Sequence, residues 1–216
     1  MRQELQSYFD KIYPYSQIST EHTLGGQVHI RFELGEGFPN GSTERVNQAT
    51  ERAITLFTDT FKESGNEIFV LIYEYQDSNI FQVKREYLHH QFPDDIFNTF
   101  YNQLEVVNAS SFITNENGIE TFETYEVRII VGRLPVKYIN ARNIFNGIAN
   151  TEMGFDPGID QTIYFFDPLT DKAFHMYDDR GCYIWSNSAD KIRDIYIKRN
   201  SWIVDYHRPE IDEYFK

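Results

Sequence analysis

The run Phe174-His175-Met176-Tyr177-Asp178-Asp179-Arg180-Gly181 gathers an imidazole, a phenol, two carboxylates and a guanidinium into one short stretch. A carboxylate there could orient His175 as a base while Arg180 holds an anionic group. On a strand, however, His175 and Tyr177 share one face and Phe174 and Met176 the other. Asp178 to Gly181 reads as a turn, in which neighbouring aspartates point different ways. Such a turn has its own uses: aspartate caps backbone N–H groups, Gly181 supplies a positive φ, and Arg180 pairs with a carboxylate on the following helix. The segment His175, Tyr177, Asp178, Asp179, Arg180 and Gly181 is therefore expected to serve folding or binding, and no catalytic residue is assigned. The competing reading is a small-molecule enzyme or ligand-binding protein built on His175, Asp178, Asp179 and Arg180.

Other chemistries find little support. His89 and His90 are adjacent and would point apart, His22, His29 and His207 stand alone, and His175 lacks a third ligand, so no metal site and no cofactor are expected. There is no GxSxG sequence. Cys182 sits within a strand pattern beside no activating cation, as a small core residue would. The GxG of Gly35 and Gly37 lacks the further glycines of a phosphate loop and reads as turn chemistry.

Acidic side chains outnumber basic ones by 33 to 20, giving a net charge of -13. That balance disfavours nucleic acid, whose phosphates need cations to displace their counterions. It favours a basic protein partner, although acidity also serves solubility. The acidic patches expected to face such a partner are Glu116, Glu120, Glu123 and Glu126, and Glu152, Asp156 and Asp160. A single cysteine excludes an internal disulfide. Met1 to Leu5 lacks the apolar core of a signal peptide, and no apolar run approaches the ~20 residues of a membrane helix. A cytoplasmic protein that makes no membrane contact is expected.

These side chains need a scaffold, and hydrophobic periodicity supplies its outline. A short helix is expected from Gln3 to Phe9, then a strand from Val28 to Leu34 in strict alternation. Ser42 or Thr43 can cap a helix carrying Val46, Ala49, Ala53, Leu56, Phe57 and Phe61 on one face, with Gly65 as its stop. Ile68 to Ile72 is continuously apolar, the mark of a central strand covered on both sides. Lys84 to Phe92 fits helix or extended chain, and a helix is expected from Asp94 through Leu104. Asn115 to Gly118 is a turn signal between strands at Ser111–Thr114 and Thr121–Val131. A helix follows from Asn140 to Thr151, ended by Gly154. Three strands (Thr162–Phe166, Lys172–Tyr177, Cys182–Trp185) form a meander. A Ser188-capped helix bearing Ile192, Ile195, Tyr196, Trp202 and Ile203 comes next, then a terminal helix begun by Pro209. This order predicts an α+β fold with a mainly antiparallel sheet, helices packed on it, and a C-terminal β-meander followed by helices. One domain over residues 1–216 is expected, with a smaller N-terminal lobe over 1–90 as the alternative.

Ile163 to Asp167, Phe174 to Gly181, Trp202 to Tyr206 and Ile211 to Phe215 together resemble an uncharacterised bacterial family with a C-terminal FHMYDDRG signature. In architecture, the meander with aspartate-rich turns followed by a helix is similar to the C-terminal half of SMI1/KNR4-type immunity proteins. That second resemblance implies an acidic, cytosolic, non-enzymatic protein that neutralises a toxin by occluding it. The expectation is an immunity or antitoxin factor for a basic toxin.

Overall fold

Ile68-Phe69-Val70-Leu71-Ile72 has no polar face to offer water, and the strand built on it lies inside the sheet. This strand, β2 (Glu67–Tyr75), is flanked by β4 (Glu120–Pro135) and β5 (Thr162–Asp167) and buried on both faces. The remaining strands are β1 (Val28–Glu33), β3 (Glu105–Thr114), β6 (Lys172–Asp178) and β7 (Gly181–Ser186). The computed structural model describes residues 1–62, 67–75, 86–114 and 120–216, without the side chains of 110–123. Among these residues the fold is α+β, with one open sheet in the order β1-β7-β6-β5-β2-β4-β3 and every neighbouring pair antiparallel.

Strand alternation divides the core in two. Ile30, Phe32, Val70, Phe165, Phe174, Met176 and Ile184 face one way, against helices α2 (Thr43–Phe61) and α5 (Ala141–Met153). Phe57 of α2 meets Phe165 at 5.0 Å and Phe174 at 5.6 Å, edge to face, so the apolar face of β6 lies at the centre of this layer. Ser42 caps α2 by accepting the Arg45 N–H at 3.3 Å. On the opposite face, Phe69, Leu71, Tyr164, Phe166, Ala173 and Trp185 meet α1 (Arg2–Ile12) through Leu5 and Phe9. The chain beyond α1 stays on that face. Tyr13 donates to the Asp171 carbonyl at 2.6 Å, and Tyr73 donates to the Ile18 carbonyl at 2.8 Å.

Two expected helices change. The first runs as α4 over Asp94–Tyr101, after the short α3 (Glu86–His89), because β3 begins at Glu105 and pairs with Ile129. The Ser188 helix is broken into a 3₁₀ turn at Ala189–Lys191, α6 (Arg193–Lys198) and a second turn at Asn200–Trp202. Ser188 makes no capping bond. Ile203 forms a bridge with Phe32 and Val204 donates to the Arg31 carbonyl at 3.1 Å, so the outer edge of β1 pulls the chain out of helical form. The final helix, α7 (Arg208–Glu213), has proline in its first turn. Gly65 and the Asn115–Gly118 turn lie outside the described residues. No helix among the described residues is long and apolar enough to cross a membrane.

Candidate functional site

The turn after β6 uses its charges internally. Asp178 accepts the Arg180 backbone N–H and its Nε, both at 2.7 Å, and pairs with the rest of that guanidinium. Arg180 thus pairs within its own turn, and the expected link to the following helix is not made. Asp179, only 1% exposed, pairs instead with Arg45 in the first turn of α2. Arg45 also donates to the Gly35 and Phe38 carbonyls at 2.9 and 3.0 Å, which ties the loop before α2 to this turn. Gly181 is required for space and not for a positive φ: a Cβ there would meet the Tyr177 hydroxyl and lie 2.6 Å from the Phe32 carbonyl oxygen. Asp178, Asp179, Arg180 and His175 therefore do not surround one cavity.

His175 and Tyr177 point the other way, into a gap in the sheet. The pairing of β5 with β6 runs from Asp167–Lys172 to Phe165–Phe174 and stops there, although both strands continue. Beyond that point the His175 ring replaces backbone as partner, its Nδ1 lying 2.9 Å from the Ile163 carbonyl oxygen. A carbonyl can only accept, so Nδ1 carries the proton and Nε2 keeps its lone pair. Burial holds the imidazole neutral by pushing its pKa down to about 4, against the opposing pull of the Ile163 carbonyl and Asp178. The ring stacks on Tyr164 at 4.0 Å. Nε2 makes no hydrogen bond among the described residues.

The notch so opened is a cavity of about 330 Å³ lined by Glu21, Ile148, Glu152, Asp160, His175 and Tyr177, among others, with no lysine or arginine among the described residues of its lining. Each acidic side chain is brought there by a different element. Glu21 lies in the 3₁₀ turn Glu21–Thr23 that follows α1, where Tyr164 donates to its carboxylate at 3.0 Å and burial pushes its pKa up. Glu152 is exposed in the last turn of α5, before Gly154 closes the helix in the left-handed region at φ 70°. Asp160 lies on the segment that folds back along α5, where Thr151 donates to the Ile159 carbonyl at 2.8 Å. On the Tyr177 side, Arg31 donates to the phenol oxygen at 2.9 Å and covers its ring. Burial raises the Tyr177 hydroxyl to about 12.

The sequence-derived patches separate accordingly. Glu152 and Asp160 converge on the notch, and Asp156 is exposed in the turn between them. Glu126 is exposed on β4, Glu120 and Glu123 lie on β4 outside the described side chains, and Glu116 lies outside the described residues. Sequence reasoning missed Glu21, whose surroundings have no periodicity to read. It also missed Glu74, buried at the end of β2 and 2.8 Å from His89 Nε2. The only local sign of that pair is a carboxylate placed in an otherwise apolar strand. Cys182 is fully buried and its thiol pKa is driven up by desolvation, so it is no nucleophile at neutral pH. No cluster of three or more ligand-type residues that could hold a metal occurs among the described residues.

The model of the family described as Domain of unknown function (DUF3885) matches residues 5–207, and the chain belongs to that family. No curated protein and no solved structure matches.

Proposed function

We propose that this member of the family acts by binding, holding a basic protein partner against the acidic side of the notch and occluding it as an immunity protein occludes a toxin. The observation that carries the reading is the notch lining: three carboxylates from three elements, with no lysine or arginine among the described residues that line it, beside β6. A net charge of -13 would draw a basic partner over long range. Taking Phe174–Gly181 as the family signature, its turn then serves as the fixed support of the surface and its strand as one wall. The architectural likeness to SMI1/KNR4-type proteins supports the same role by analogy of fold alone. The partner would be met in the cytoplasm. Co-expression with the protein encoded beside this gene tests the reading. Protection from that protein's toxicity and a stable complex on gel filtration are expected, and absence of both would refute it.

The size of the notch favours a second reading, a small-molecule-binding protein, since it sits near the lower end of the ~300–1,000 Å³ of ligand pockets. A ligand released on denaturing protein purified from its own cells, and identified by mass spectrometry, would establish it. Protein purified without any released small molecule would count against it.

A further inference from the structure

The two ends of the sheet are finished differently. At the β1 end, Ile203 bridges Phe32 and the Val204 N–H donates to the Arg31 carbonyl, so later chain covers that edge. At the other end lies β3, paired to β4 without a bulge from Glu105–Ile129 to Thr114–Glu120. Among the described residues no strand pairs with the outer side of β3, and no backbone hydrogen bond outside its ladder reaches it. Alternate N–H and C=O groups along its 10 residues therefore point outwards, open to another strand. Open edges are ordinarily blunted by lysine, proline, a bulge or a short length. β3 has none of these. Its sequence, Glu105-Val106-Val107-Asn108-Ala109-Ser110-Ser111-Phe112-Ile113-Thr114, contains no lysine, arginine or proline, and its one charged residue, Glu105, pairs with Arg2 of α1. The charges of this strand pair sit on the inner strand instead, at Glu120, Glu123, Glu126, Arg128 and Arg133. Val106, on the edge strand, is 49% exposed.

We propose that β3 is a homodimerisation edge: two copies of the chain pair their β3 strands antiparallel about a two-fold axis and join their sheets into one. The neutral composition of the strand selects this occupant. A basic segment would find no unengaged counter-charge along the edge, whereas a second copy brings an edge equally uncharged and rich in β-branched residues. An axis at Ala109 or Ser110 uses nearly the whole strand, puts small neutral residues at the centre and carries each Glu105 to the opposite end from its copy. The net charge of -13 on each copy opposes association, but screening over about 8 Å at physiological salt confines that repulsion to charges near the contact. A single pair of strands makes a small interface, so a dissociation constant on the order of 10–100 μM is expected. None of the notch lining lies on β3, so dimerisation and partner binding use separate surfaces.

Sedimentation velocity of the full chain from about 5 to about 500 μM, at low and at physiological salt, follows the association. A monomer–dimer equilibrium is expected over this range, with more dimer at the higher salt because screening relieves the repulsion. Capture of a basic partner has the opposite salt dependence. Hydrogen–deuterium exchange read by mass spectrometry locates the contact. Amides within residues 105–114 are expected to exchange about three- to tenfold more slowly at the highest concentration than at the lowest, in step with the falling monomer fraction. Val106→Lys puts a cation on an exposed edge position and leaves the core untouched. It is expected to weaken the dimer at least about tenfold, although it lowers the net negative charge of each copy. A chain that stays monomeric at about 500 μM at both salts overturns the proposal. So does a dimer whose protection falls outside β3, or one that Val106→Lys leaves unchanged.

Discussion

Replacing Asp179 by alanine removes the carboxylate that pairs with Arg45 across the turn, and its cost follows from what remains. Removing one member of a buried ion pair typically destabilises by about 3–5 kcal/mol, because the other charge is left without its partner. Here the loss is moderated: Arg45 keeps the Gly35 and Phe38 carbonyls as acceptors, and its side chain is 12% exposed and can recruit some water. A loss of about 2–4 kcal/mol is expected, or about 4–16 °C in Tm for a chain of this size. Arg180→Ala is the internal comparison. Its guanidinium also bonds a buried aspartate, but the arginine side chain is 66% exposed, so the expected loss is below about 1 kcal/mol. Urea unfolding with unchanged m-values measures both. If Asp179→Ala lies within about 1 kcal/mol of wild type, or Arg180→Ala costs as much as Asp179→Ala, then the assignment of Asp179 as the buried anchor of the α2 loop is wrong.

Three further outcomes are expected. The His175 pKa is about 4 in the folded chain and about 6.5 when unfolded, so between these values the unfolded state binds the extra proton. Stability should therefore fall as pH drops from about 6.5 towards 4, by an order of 2–4 kcal/mol, and level off below. Glu21 has the opposite sign, its raised folded pKa returning stability as pH falls, so the His175 contribution is the difference between the wild-type and His175→Phe profiles; identical profiles would refute it. Gly181→Ala should lose about 1–3 kcal/mol through its contact with the Phe32 carbonyl, and a wild-type melting curve would contradict that packing. Cys182 should react with a thiol reagent only at the rate of unfolding, and fast labelling of the native protein would show that its burial is misjudged.

The parts of the fold legible in the sequence are those where periodicity and burial coincide. The face of α2, the continuous apolar run of β2 and the three-strand meander appear at the expected places because strand and helix repeats alone place their side chains. The helix after Ser188 was not legible, since its interruption comes from the distant edge of β1, which binds residues 203 and 204. The site divides in the same way. That Asp178 and Asp179 serve the turn is local chemistry, but which arginine each one meets depends on Arg45, far away in sequence. The notch is less legible still. Strand parity correctly separates His175 and Tyr177 from Phe174 and Met176, yet nothing in that pattern announces that the β5–β6 ladder stops beside His175. Glu21 reaches the notch through a turn held by nonlocal bonds, such as that from Tyr73 to Ile18.

The most direct test is the affinity of the protein for the proposed partner, sought as a basic protein encoded beside its gene, measured by calorimetry for wild type and for the Glu21→Gln/Glu152→Gln/Asp160→Asn triple variant at two salt concentrations. Tight wild-type binding that weakens as salt rises is expected, with at least about a hundredfold loss in a folded triple variant. Binding that is unchanged in that variant, or no binding by the wild type at either salt, would contradict the proposed binding role.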